Sequence, residues 1–170
     1  ILPRLLDLES PSGFPVRKAL FGHIEDRIDN SQFDRNKILI TVHPEHQDVW
    51  FWLIPFSNGR SSIGVVAEES FYPPGDNYGE ILQGIIHQVD SLKNLLDNAV
   101  FDTEINAITG YSANVKSLYG KGFALLGNAG EFLDPVFSSG VTIAMKSASL
   151  AAAILDRQFK DETVDWENEY

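Results

Sequence analysis

Two apolar segments joined by a turn dipeptide constrain the fold of this chain more than any other feature. Residues 48–55 and 61–68 are rich in β-branched and aromatic residues, and Asn58-Gly59 lies between them. Tight hairpins prefer Asn-Gly because both central residues of a type I′ turn need positive φ. The pattern therefore predicts an antiparallel hairpin, with residues 37–42 as a third strand beside it.

Downstream of the hairpin, the apolar residues change from the alternation of a strand to the spacing of a helix. The residues at intervals of one, three and four are Ile81, Leu82, Ile85, Ile86, Val89 and Leu92. This stripe predicts a helix that covers the sheet. Leu95 and Leu96 either continue it or begin a second short helix after a break near Asp90.

Further strands are predicted on both sides of this central region. Residues 18–24 mix apolar and polar side chains, and residues 105–108 and 112–118 follow the helix. Residues 122–126 form a short apolar segment, of the kind that is buried on both faces of a sheet. Residues 139–158, which are dense in Ala and Ser, predict a helix.

The fold class is therefore α+β. We expect residues 1–118 to form an antiparallel sheet with its covering helix, and residues 119–170 to form a C-terminal strand–loop–helix unit.

Composition excludes several classes of function. The chain has 13 Lys+Arg against 24 Asp+Glu, a formal net charge of −11, so nucleic acid and anionic membrane surfaces are not expected partners. It has no Cys, which excludes disulfides and thiolate catalysis. The His residues do not cluster with carboxylates, so no metal site is predicted. With no apolar run of spanning length, we expect a cytoplasmic protein.

Neither end of the sequence reads as a natural terminus. The chain begins at Ile1 without Met and stops at Tyr170, after an acidic stretch that contains Trp166. We therefore expect it to be part of a longer protein.

Residues 122–141 carry the groups best suited to chemistry. An apolar strand leads into a Gly-rich turn, then a loop stiffened by Pro135, then a helix that begins at Ser138 or Ser139. Either hydroxyl could cap that helix. Its remaining free N–H groups, with the helix dipole, attract an anion.

The glycines of this segment allow two interpretations. Gly127, Gly130 and Gly140 let a bulky planar ligand approach the backbone, and Asn128 or Asp134 could bond its hydroxyls. Alternatively, the glycines serve only turn geometry and the serines only cap a helix. The residues alone leave both open.

The segment resembles the second flavin-contacting motif of FAD-dependent oxidoreductases. The spacing F-x-x-P-x-x-S-x-G, which is typical of flavin-dependent halogenases, is present as Phe132, Pro135, Ser138 and Gly140. A second halogenase signature, W-x-W-x-I-P, is matched by Trp50, Trp52 and Pro55. From the strand alone, the two Trp side chains either pack in the core or line the passage between flavin and substrate.

The resemblance implies FAD as cofactor and assigns roles to the loop. It also implies that residues 1–118 are the sheet and helices of the substrate domain, and that residues 119–170 are the C-terminal part of the FAD-binding domain. The implied cofactor-binding residues are Gly127, Asn128, Asp134, Pro135, Gly140 and Val141. The main-chain amides of Ser139 and Gly140 would hold chloride or bromide. No catalytic residue is expected here, because the family's Lys lies upstream. No G-x-G-x-x-G unit for the pyrophosphate is present, so the chain alone should bind FAD weakly or not at all.

The resemblance also implies a reaction. Reduced flavin from a separate flavin reductase, O₂ and halide would give hypohalous acid, which halogenates an aromatic or carrier-tethered small molecule. Phe137 stands where tryptophan-specific members usually have Glu, which disfavours that substrate. The alternatives are a flavin monooxygenase or reductase of the same superfamily and, in another class, a non-catalytic acidic interaction domain.

Overall fold

A computed structural model describes all 170 residues, and they form two compact units. Residues 16–111 form one unit, and residues 1–15 with 112–170 form the other. The predicted division after residue 118 concerns which residues belong to the flavin-binding domain of a whole protein. It stays a prediction.

The elements are numbered in chain order. The strands are β1 (Glu9–Ser10), β2 (Arg17–Glu25), β3 (Leu39–Val42), β4 (Trp50–Pro55), β5 (Arg60–Glu68), β6 (Asn106–Thr109), β7 (Asn114–Val115), β8 (Tyr119–Gly120) and β9 (Phe123–Ala124). The helices are α1 (Leu2–Leu5), α2 (Tyr78–Ile86), α3 (Asp90–Leu95), α4 (Gly140–Phe159) and α5 (Trp166–Glu169).

An antiparallel sheet of five strands, in the order β3-β4-β5-β2-β6, forms the first unit. Strands β4 and β5 pair from Trp50 opposite Val66 to Pro55 opposite Ser61. The predicted hairpin and the neighbouring strand β3 are therefore confirmed. The loosely patterned segment at 18–24 is the long strand β2, which lies between β5 and β6 and pairs with β5 along its whole length.

The turn between β4 and β5 differs from the predicted one. Gly59 has φ of +81°, but Asn58 is not left-handed, so the turn is not type I′. The Phe56 amide donates to the Arg60 carbonyl at 2.8 Å, which leaves a loop of three residues. One left-handed glycine is what a three-residue loop requires. The carboxamide of Asn58 accepts from the Arg60 amide at 3.2 Å.

Helices α2 and α3 cover one face of this sheet, as the apolar stripe predicts. Phe51 and Leu53 of β4 are fully buried in the same cluster as Leu82 and Ile86 of α2. The stripe breaks after Ile86, and α3 begins after Val89, which confirms a second short helix. Burial of these side chains supplies the main favourable free energy of folding for this unit.

A buried ion pair lies at the end of the same sheet. The Asp26 side chain is 2% exposed, and its carboxylate accepts from Arg35 Nη1 at 2.5 Å and from Ser61 Oγ at 2.5 Å. Burial alone would raise the pKa of Asp26, but the bonds from Arg35, Ser61 and the Ile28 amide outweigh it. The pKa of Asp26 is therefore lowered.

The second unit consists of short hairpins and one long helix. Strands β8 and β9 pair with each other, and β1 pairs with β7. The expectation that residues 122–126 are buried on both faces is wrong: Phe123 and Ala124 are half-buried and Leu126 is 41% exposed. The reason is that β9 has β8 on one edge and no strand on the other. The predicted helix at 139–158 is confirmed as α4.

Asp26→Asn should destabilise the chain at pH 7 by about 3 kcal/mol, because it leaves the Arg35 charge without its buried partner. The native pKa of Asp26 is lowered, so its contribution is complete above the ordinary Asp value of about 3.9. That contribution is lost as the pH falls through the lower native value. Urea unfolding at several pH values should show the variant and the wild type converging in acid. Asp97→Asn, at an exposed position, is the control.

Gly64→Ala should destabilise the chain by about 2 kcal/mol through overpacking. Gly64 lies opposite Trp52, and a Cβ added there would lie 2.3 Å from the indole ring. Gly84 is the matched control, because it is exposed on α2 and a Cβ there meets nothing within 4 Å. Gly84→Ala should instead stabilise by up to about 1 kcal/mol. Equal effects in urea unfolding would contradict the packing at Gly64.

Candidate functional site

The Gly-rich turn is pressed directly against helix α4. Gly127 has φ of +51°, and a Cβ built on it would lie 2.8 Å from the Cβ of Ala144. Its amide donates to Ser147 Oγ at 3.0 Å. The chain can turn here only because Gly127 has no side chain and accepts a left-handed conformation.

The loop after the turn is fixed by backbone bonds and by one carboxylate. Phe132 and Ala113 exchange two backbone hydrogen bonds, of 2.9 and 3.1 Å. Asp134 Oδ1 accepts from the Val136 amide at 3.2 Å, which caps a short 3₁₀ turn that starts at Pro135. The Asp-Pro pair thus shapes the approach to α4.

The start of α4 leaves its first amides without acceptors. Ser138 is left-handed, with φ of 51° and ψ of 37°, and Ser139 is the N-cap residue. The amides of Ser139, Gly140 and Val141 donate to no group of the protein, whereas the Ile143 amide bonds to the Ser139 carbonyl at 2.9 Å. Such free N–H groups at the positive end of a helix dipole are suited to an anion.

The expected serine cap is not formed. Neither Ser138 nor Ser139 has a hydroxyl that accepts from an amide of α4. Ser139 has helical backbone angles, with φ of −72° and ψ of −13°, whereas a capping side chain needs the extended region. The cap that either serine could have formed is therefore absent, and the amides remain available.

Asn128 meets the helix start from the turn. Its side chain is exposed, and a Cβ built on Gly140 would lie 3.6 Å from Asn128 Oδ1. The carboxamide of the turn and the free amides of α4 therefore converge on one place. They offer neutral donors and one acceptor, which suit a polar ligand with hydroxyls beside an anion.

The Trp pair lies on the sheet face opposite α2 and α3. Trp50 and Trp52 alternate with Phe51 and Leu53, which belong to the helix-covered cluster, so their rings point the other way. Their ring centroids are 5.9 Å apart, and Trp52 Nε1 donates to Ser62 Oγ at 3.0 Å. Trp50 is 7% exposed, and its indole N–H has no acceptor in the protein. Pro55 ends β4. That the rings line a passage to a flavin stays a prediction.

Ser147 is a site residue that the sequence did not reveal. It lies 20 positions after Gly127, on a helix that reads only as rich in small residues. Its hydroxyl accepts from the Gly127 amide and donates to the Ile143 carbonyl at 2.8 Å. The one available signal is a serine that faces inward on such a helix. Its role can be inferred only once the Gly127 turn is known to lie beside it.

Two classes of feature are absent from the 170 residues. No three His, Asp or Glu side chains are grouped so that they could hold a metal ion. No helix combines the length and the apolar character needed to cross a membrane.

Comparison with solved proteins defines the class. The chain is similar to a flavoprotein/dehydrogenase from Cytophaga hutchinsonii, with 39% identity and a TM-score of 0.85 over 99% of this chain and 41% of that one. It is also similar to a triple mutant of the flavin-dependent brominase Bmp2, with 28% identity and a TM-score of 0.78 over 97% of this chain and 42% of that one. The predicted α+β fold is that of flavin-dependent halogenases.

The chain belongs to the tryptophan halogenase family, whose model matches residues 39–169. A curated relative is the 1H-pyrrole-2-carbonyl-[peptidyl-carrier protein] chlorinase of Pseudomonas fluorescens, with 32% identity over 62% of this chain and 24% of that protein. The chain spans about a quarter of the length of the curated relatives that it matches first. The resemblance drawn from the two motifs is confirmed.

Gly127→Ala should destabilise the second unit by about 3 kcal/mol. The reasons are the left-handed φ and the contact with Ala144, which leave no room for a methyl group. Urea unfolding measures the change, with Gly13→Ala as control, because a Cβ at Gly13 meets nothing within 4 Å. If both variants unfold at the wild-type midpoint, the turn does not lie against α4 as described.

Proposed function

We propose that this chain is the central and C-proximal part of an FAD-dependent halogenase-like oxidoreductase. The observation that carries the proposal is the set of free amides from Ser139 to Val141, at the end of a loop with the halogenase spacing. The family match supports it independently. The second unit supplies one side of a flavin site, and the sheet of the first unit belongs to the substrate side.

The residues of the loop fit the cofactor. Asn128 presents an exposed carboxamide for hydroxyls of the ribityl chain, where the family usually has Asp. Gly127, Asp134 and Pro135 shape the backbone around it, while Gly140 and Val141 offer free amides. When bound, FAD supplies the redox chemistry that turns halide and O₂ into hypohalous acid.

Chloride or bromide would be held by the amides of Ser139 and Gly140. A halide needs hydrogen-bond donors and a positive field, and the start of α4 offers both without a cationic side chain. An anion that binds there also satisfies donors that the fold leaves without partners. Reduced flavin would come from a separate reductase.

The substrate class that we propose is an aromatic or carrier-tethered small molecule. The chlorinase relative is named for a pyrrole held on a carrier protein. Although the family is named for tryptophan, Phe137 occupies the place of the Glu that tryptophan-specific members usually have, and this ring is 89% exposed beside the helix start. An apolar ring there favours an apolar substrate over an amino acid.

A flavin monooxygenase or reductase of the same superfamily is the second candidate. The observation that favours it is the 39% identity to the flavoprotein/dehydrogenase over nearly the whole chain. The two candidates share the fold and the cofactor, and they differ in whether a halide is consumed.

A halide-dependent assay of the whole protein separates the candidates. With FAD, a flavin reductase, NADH, O₂ and bromide, a halogenase should consume an electrophile trap, and omission of bromide should abolish the loss of trap. Hydroxylated or reduced product that forms without bromide would establish the rival.

Gly140→Ala is the variant that tests the proposed halide site. A Cβ at Gly140 meets only Asn128 Oδ1, at an ordinary contact distance of 3.6 Å, so the variant should fold like the wild type. The methyl group should nevertheless crowd a ligand at the free amides and lower bromide-dependent turnover at least tenfold. Gly84→Ala, in the other unit, is the control. If Gly140→Ala keeps the wild-type turnover and bromide dependence, the halide does not bind at these amides.

A further inference from the structure

We infer that Ser147 and Tyr170 are positioning residues that hold the Gly127 turn in place for flavin binding. The inference rests on the proposed function, because it concerns how the turn that carries Asn128 is supported from behind. Neither residue belongs to the motifs that define the family signature. Neither is expected to touch the flavin.

The first support is the Ser147 hydroxyl. It accepts from the Gly127 amide at 3.0 Å, and it lies within 2.8 Å of the Ile143 carbonyl and 3.1 Å of the Ala144 carbonyl, to which it donates. The Ser147 hydroxyl thus donates its proton to carbonyls of α4, and a lone pair of its oxygen accepts from the turn. A donor–acceptor chain of this kind fixes the Gly127 amide relative to the helix axis.

The second support is the hydroxyl of Tyr170, which donates to the Leu125 carbonyl at 2.6 Å. Leu125 is buried and lies two residues before Gly127, so this bond holds the strand end that leads into the turn. Burial raises the pKa of Tyr170, so its hydroxyl stays protonated at neutral pH and can donate to Leu125.

Tyr170 is itself held in place by the contacts of helix α5, which it directly follows. Trp166 stacks on Tyr119 of β8, with ring centroids 5.8 Å apart, and its indole N–H donates to Gln158 at 3.0 Å. Arg157 forms an ion pair with Glu169. These contacts hold helix α5 against the C-terminal end of α4. They thereby place Tyr170 beside Leu125, just before the Gly127 turn.

The space behind the turn explains why two hydrogen bonds matter. An open cavity of about 300 Å³ lies beside the contact of Gly127 with Ala144, bounded by the turn on one side and by α4 on the other. The residues that line it include Leu118, Leu125, Gly127, Thr142, Ser147 and Tyr170. The turn packs closely on α4 only at Ala144, and its side toward the cavity has no such packing, so its position also depends on directional bonds. Loss of either bond should let Gly127 and Asn128 move.

Single variants of the whole protein test the inference. Ser147→Ala and Tyr170→Phe should each raise the Kd for FAD by about two- to tenfold, the effect of one lost hydrogen bond. Each should also change the fluorescence of bound FAD, because the turn beside the ribityl chain moves. Ser147→Thr keeps the acceptor and should restore both values. Binding is measured by titration well below the unfolding temperature, so that loss of fold does not contribute.

Two controls match the deleted hydroxyls. Ser149→Ala removes an exposed hydroxyl two residues along α4, and Tyr78→Phe, in the other unit, removes a hydroxyl that forms no hydrogen bond in the structure. Both should leave Kd and flavin fluorescence at wild-type values. If Ser147→Ala and Tyr170→Phe behave like these controls, the inference is overturned. If the wild-type protein binds no FAD, the proposed function fails instead.

Discussion

The contact between the Gly127 backbone and Ala144 is the constraint on which the candidate site depends. It brings the turn so close to α4 that the next residue, Asn128, lies beside Gly140 at the start of the helix. A side chain at Gly127 would separate the turn from the helix, and the carboxamide would no longer meet the free amides. The local fold and the candidate chemistry therefore share one steric requirement.

The electrostatics of the site are local. The chain carries a formal charge of −11, so its long-range field repels anions. Free peptide amides at a helix start act over a few ångströms, where screening by solvent and salt is weakest. A site built from main-chain donors can thus hold a halide in an acidic protein, without a Lys or Arg that neighbouring carboxylates would neutralise.

Predictions from the sequence were correct for elements that repeated patterns specify. They were wrong or missing where a single contact determines the local structure. The hairpin of β4 and β5 and the stripe from Ile81 to Leu92 both follow from periodicity, which many residues support at once. The Asn58-Gly59 dipeptide predicted a two-residue turn, but the loop has three residues, and this length determines its conformation. Burial of residues 122–126 needed a neighbouring strand that β9 does not have. Ser147 was missed because its partner lies 20 residues away, and no local pattern records that distance.

The unpaired edge of β9 has a consequence for handling the chain by itself. A strand that pairs on one side presents free backbone donors and acceptors on the other. Here β9 borders a groove that also contains the exposed ring of Phe159 and the half-buried ring of Phe123. The edge is only two residues long, so another strand could pair with little of it. In concentrated solutions the isolated chain therefore presents this short edge and the apolar groove beside it to other copies, and a charged substitution in β9 would oppose such a contact.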